Sequence, residues 1–136
     1  MTFIVERLAE LRRHLDHLEE LGARPVVRTA LERDMSLRND VLFSLLMVAQ
    51  LVIDIAGELS TRQGIRFEDY TQAVRNLGQD HRFPSDVVDA LARLPGFRNV
   101  VIHDYVVLDL ERVVDAVRNL EPVRRFLAIV VEIERA

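Results

Sequence analysis

The string Arg98-Asn99-Val100-Val101-Ile102-His103-Asp104-Tyr105 has the form R-N-x(3)-H-x-Y. These residue types could cleave RNA without a metal. Such cleavage needs a base to take the proton from a ribose 2′-OH, an acid to protonate the leaving 5′-oxygen, and a cation to stabilise charge on the phosphorus. Histidine titrates near 6.5, so His103 can act as base or acid near neutral pH. The Arg98 guanidinium is a planar fork of donors that suits a phosphate and its transition state. Asn99 and Tyr105 can hydrogen-bond to a phosphate or orient the imidazole. The bland alternative is a half-buried His103 with its bonds satisfied and a core Tyr105 with its hydroxyl at the rim.

Spacing limits what one helix can do with this string. At about 100° per residue, Asn99 and His103 lie roughly 40° apart, and Arg98 and Tyr105 roughly 20° apart on another face. Arg98 and His103 are roughly 140° apart and share no face of an ideal helix. The site must therefore use arginine reach, a helix end just after Pro95-Gly96, or two chains meeting across a cleft.

The elements that must position these residues read as helices. Ile4, Leu8, Leu11, Leu15 and Leu18 alternate steps of four and three, one apolar helix stripe. Gly22 and Pro25 punctuate the chain after it. Leu31 to Leu59 reads as a second long helix whose middle, LFSLLMVAQLVIDIA, is apolar on nearly all sides, as a central core helix or one covered by a partner chain would be. Leu45, Leu46, Val48, Val52 and Ile53 carry that reading. Gly57 and Gly64 bracket its end. Phe67 to Leu77 reads as a short helix ended by Gly78. Pro84 precedes Ser85 or Asp86, either a possible cap for a helix to about Leu94. Pro95-Gly96 reads as a break before the motif. Val100 to Leu108 leans towards strand by propensity. Asp109 is a candidate N-cap for a final helix to about Arg135, kinked or split by Pro122. The expected fold is an all-α bundle of about five helices in one domain, residues 1–136.

Bulk properties bound the function. At 136 residues the chain would bury roughly 68% of its open-chain surface on folding. The 29% charged and 49% hydrophobic composition is that of a globular domain, and no cysteine is present for disulfides or thiolate metal sites. The N-terminus lacks the apolar region of a signal peptide. The longest apolar stretch, Leu45 to Ala56, is interrupted by Gln50 and Asp54 and is too short for a bilayer, so a cytoplasmic protein without a membrane segment is expected. Net charge is −4, which argues mildly against RNA, yet all eighteen basic residues are arginine, able to line a small cleft.

Other polar residues are open to two readings. Asp54, four after Gln50 in an apolar helix, could pair with Arg98 or another arginine, orient His103, or serve only structure. His14 and His17 could reach a metal with Asp16 or Glu20, but read better as a solvated face, and no metal is expected. His81 falls in a polar loop. Arg12, Arg13, Arg124 and Arg125 read as solvated helix faces rather than phosphate contacts.

From Ala49 onward the chain resembles the HepT-like family of HEPN ribonuclease toxins. The resemblance rests on AQLVIDIAGEL (Ala49 to Leu59), FEDYTQAVRNLG (Phe67 to Gly78), LARLPGFRNVVIHDYVVLD (Leu91 to Asp109) and RFLAIV (Arg125 to Val130). It implies a homodimeric HEPN bundle and a type II toxin–antitoxin pair. It implies that Arg98 and His103 are catalytic, with Asn99 at the polar position that commonly follows the arginine; Asp54, from its place in the apolar helix, is the further supporting candidate, and no cofactor is expected. It also implies that Tyr105 is the residue onto which a cognate minimal nucleotidyltransferase antitoxin transfers AMP from ATP. Phosphate charge and bulk placed there would exclude RNA. The alternative reading is a non-catalytic HEPN subunit that binds a nucleotide or serves a nucleotidyltransferase.

Overall fold

The stripe Ile4, Leu8, Leu11, Leu15 and Leu18 lies on one side of α1 (Thr2–Gly22), and all five side chains are buried. The computed structural model describes residues 2–23 and 26–136, so Pro25 lies outside the described residues. Asp34 divides the expected second helix. Its extended backbone (φ −114, ψ 98) stops the short α2 (Arg28–Arg33), and its side chain accepts from the Leu37 N–H at 3.1 Å to cap α3 (Met35–Arg62). Gly64, at φ 69, takes the left-handed conformation just past α3. Gly57 does not bracket the end; it stays inside α3, where a side chain would meet the Phe67 ring.

Asp69 caps α4 (Tyr70–Arg75) by accepting from the Gln72 N–H at 2.7 Å. The chain then runs through a 3₁₀ turn, Asn76–Gln79, with Gly78 inside it rather than ending the helix before it. Pro84 holds the N-cap position of α5 (Ser85–Leu91), so neither Ser85 nor Asp86 caps it. Pro95-Gly96 does not break the chain: Pro95 occupies the first turn of α6 (Leu94–His103), where its missing N–H is not needed. The strand-leaning run is helix up to His103, followed by a 3₁₀ turn at Tyr105–Val107. Asp109 caps α7 (Leu110–Arg118) by accepting from the Glu111 N–H at 2.9 Å. Pro122 splits off α8 (Glu121–Arg135) from within its first turn.

The described residues thus form eight α-helices and no strand, against the expected five or so. The extra breaks come from aspartate caps and from prolines at helix starts. α3 is the central element: α1, α4 and α6 all pack on it, and α8 closes the bundle over α1 and α5. Leu45, Val48, Val52 and Ile53 are buried core and Leu46 is half-buried. By length and composition α3 could cross a membrane, but 56% of its most apolar window is buried inside the bundle. Phe126 of α8 is fully buried, with its ring centre 6.0 Å from that of Phe83. Where α3 meets α4, the buried Asn76 donates to the Arg66 carbonyl at 3.1 Å and to Ser60 Oγ at 3.3 Å.

Candidate active site

Leu94 and Phe97 seat α6 on the core, and Arg98 leaves the same helix half-buried. Its Nε donates to Gln50 Oε1 at 2.6 Å, and a terminal nitrogen donates to Asn99 Oδ1 at 3.1 Å. Its guanidinium carbon lies 5.4 Å from the centre of the Tyr70 ring, within cation–π range. The Gln50 amide is itself fixed. Its Nε2 donates to Asp54 Oδ1 at 2.8 Å, which leaves Oε1 to face Arg98. Asp54 Oδ2 stands 3.7 Å from Arg7 Nε, and Arg7 covers the Phe3 ring at 3.5 Å.

A polar chain therefore runs from α1 through α3 to α6: Arg7, Asp54, Gln50, Arg98. Of the partners expected for Asp54, Arg7 is the one it takes; its link to Arg98 is indirect. The consequence is electrostatic. A neutral amide holds Arg98 without cancelling its charge, and Arg98 joins none of the ion pairs found among the described residues. Gln50 and Tyr70 were missed as site residues by sequence reasoning. The only signal for Gln50 was its i,i+4 pairing with Asp54 in an apolar helix.

His103 is the last residue of α6 and is exposed. The Asp104 N–H closes the helix on the Val100 carbonyl at 2.8 Å. Because the helix ends there, the helical wheel that puts Tyr105 near Arg98 does not apply. Tyr105 lies in the following turn and is 67% exposed, so it is not a core tyrosine. Within one chain Arg98 is tethered towards α3 and α4 and reaches Asn99, while no hydrogen bond found among the described residues joins it to the exposed His103.

The remaining polar residues have local partners. His14 Nδ1 shares a hydrogen bond with the buried Ser44 at 3.1 Å, and burial holds its pKa below the usual histidine value. His17 bonds Asp40 at 2.8 Å, and His81 is exposed. Arg13 pairs with Glu10, Arg124 with Asp16 and Glu19, and Arg125 with Asp86. A cavity of about 250 Å³ is lined by Leu94 and Phe97 of α6 but by neither Arg98 nor His103.

The family model described as Ribonuclease HepT-like matches residues 6–130. The chain belongs to the HepT-like ribonuclease family. Among similar proteins, the mRNA nuclease HepT of Shewanella oneidensis is 23% identical over 129 residues, covering 93% of this chain and 95% of that protein. A tri-AMPylated Shewanella oneidensis HEPN toxin, solved in complex with its MNT antitoxin, superposes with a TM-score of 0.84. It is 23% identical, over 97% of this chain and 98% of its own. A toxin–antitoxin structure with AMP-PNP gives a TM-score of 0.83 at 21% identity, over 96% and 97% of the two chains. The HepT-like fold here is the all-α HEPN bundle. The R-N-x(3)-H-x-Y string of this sequence places Arg98 at the Gln50 tether, His103 at the helix end and Tyr105 in the turn beyond.

Proposed function

We propose that this HepT-like chain is the toxin of a type II toxin–antitoxin pair, a cytoplasmic RNA endonuclease that needs no metal. The observation that supports this best is an uncompensated arginine, held by a neutral amide, five residues before an exposed histidine at a helix end. Neutral His103 takes the ribose 2′-OH proton, and the 2′-oxygen attacks the phosphorus. Arg98 stabilises the charge that develops there. The bond from phosphorus to the 5′-oxygen breaks, and a protonated histidine returns a proton to that oxygen. The products are a 2′,3′-cyclic phosphate and a 5′-hydroxyl.

The placement of Arg98 at its tether and of His103 at the helix end favours a homodimer in which Arg98 of one copy and His103 of the other face one groove. Asn99 and Asp54 support Arg98. A cognate minimal nucleotidyltransferase silences the site by AMPylation. The Tyr105 oxygen attacks the α-phosphorus of ATP, pyrophosphate leaves, and the phenolic proton passes to a base on the partner or to solvent. The modification reading draws support from the AMPylated toxin among the similar structures.

The test is cleavage of a mixed RNA pool with excess chelator, wild type against His103→Ala. Wild type leaves cyclic phosphate ends, and the variant leaves the pool intact. Equal cleavage by the folded variant would remove His103 from the chemistry. The net charge of −4 favours a second reading, a non-catalytic nucleotide-binding subunit; under it wild type also leaves the pool intact.

A further inference from the structure

Beside the motif, the turn carrying Tyr105 faces the first turns of α3 across an open depression of about 440 Å³. That volume falls in the range of small-ligand sites, roughly 300–1,000 Å³. Met35, Leu42 and Val106 give it apolar walls, and Arg38 and Asn39 add the polar groups. Tyr105 itself lines it, so a group esterified to the tyrosine is carried by a residue of its wall.

We propose that this depression is the seat of the adenylate carried by Tyr105, with Arg38 gripping its phosphate. The proposal rests on the AMPylation reading above and adds how the modified site is locked. Its chemistry matches AMP part by part. Arg38 is half-buried and joins none of the ion pairs found among the described residues, although nine other arginines of this acidic chain do. Its guanidinium is thus in none of those ion pairs, and Arg38 lines the depression, where a phosphodiester would be met by charge-assisted hydrogen bonds. The flat faces of an adenine suit the Met35 and Leu42 side chains, one of them a polarisable thioether. The Asn39 amide offers both a donor and an acceptor to the base edge or the ribose.

A seated adenylate would hold phosphate charge at the turn two residues beyond His103 and would use up the charge of Arg38. Silencing would then persist after the antitoxin has left.

The experiment compares wild type, Arg38→Ala and Arg38→Lys. Each is treated with the partner nucleotidyltransferase and ATP until intact mass shows full addition of AMP, then purified away from that partner. Tyr105→Phe is the control for the site. Two quantities are read: the thermal midpoint before and after modification, and the ratio of RNA cleavage before to after. The expected result is that modification raises the wild-type midpoint and silences cleavage. Arg38→Ala should accept AMP but show no rise, and its silencing ratio should fall about tenfold, the loss of one charge-assisted contact. Arg38→Lys should lie between them. An Arg38→Ala protein that is stabilised and silenced as fully as wild type overturns the seat while leaving the modification intact. A wild type that gains no mass, or a gain that survives Tyr105→Phe, overturns the modification reading and the seat with it.

Discussion

Arg98 owes its position to groups that do not discharge it. Gln50 supplies one acceptor, Asn99 another, and Tyr70 a ring face. Replacing Gln50 by Leu would free the arginine and leave Asp54 without its 2.8 Å donor. Expected is a fall in kcat/KM for RNA of about tenfold to a hundredfold, the scale of a lost hydrogen bond to a charged group, with the fold retained by circular dichroism. A Gln50→Leu protein of wild-type rate would show that the tether does not position Arg98 for the reaction. Asp54 and Gln50 were legible as a polar pair on one face of an apolar helix. Their link to Arg98, 48 residues on, was not, because spacing along the chain says nothing about which helices meet.

A second residue-scale prediction concerns acid. Burial lowers the His14 pKa in the folded chain, so below about 6.5 the unfolded chain binds a proton that the folded chain resists. Stability contributed by neutral His14 is therefore full above that pH and declines as pH falls towards the depressed value. Urea titrations at pH 7.5 and pH 5.5 should show a smaller drop for His14→Gln than for wild type. An equal drop would mean that His14 does not couple to folding.

At the scale of elements, the site depends on where helices stop. Asp34 starts α3, and so places Arg38 and Asn39 opposite the motif turn. Asp34→Ala should cost about 1 kcal/mol of stability through the lost cap, read as a shift of the urea midpoint at constant slope. Gly64 holds φ 69, so Gly64→Val should destabilise by roughly 1–2 kcal/mol, although nothing crowds the position. Wild-type stability in Gly64→Val would mean that the turn has relaxed into another conformation. Some stops were readable: Asp109 before α7 and Pro122 at the start of α8 fall as the pattern predicted. Pro95-Gly96 was misleading, because a proline that breaks a helix from within is welcome in its first turn. The valine-rich run from Val100 was misleading too, since packing of α6 on α3 overrides strand propensity.

At the scale of the molecule, no hydrogen bond found among the described residues joins Arg98 to His103, and a pair of copies is the simplest way to bring such groups to one phosphate. Ile102 and Val107 stand exposed beside the motif, apolar surface that a second copy could cover. A complementation experiment tests the arrangement. Arg98→Ala and His103→Ala proteins, each inactive alone, are co-expressed so that mixed dimers form. If each site takes one residue from each copy, the mixed dimer holds one intact site and cleavage returns. No recovery, with mixed dimers confirmed by native mass spectrometry, would place both residues in a single chain's site.

The sequence by itself determined the helical class, the buried face of α1, the apolar character of the middle of α3 and the string of residues able to carry the chemistry. These follow from local periodicity and residue type, which a chain displays whatever it packs against. Only the tertiary structure decided that Arg98 is held by Gln50 rather than by Asp54. It also decided that α6 ends at His103 and that Tyr105 shares a depression with Arg38. Those outcomes depend on which surfaces of distant helices come together, and that is set by the packing of the whole core.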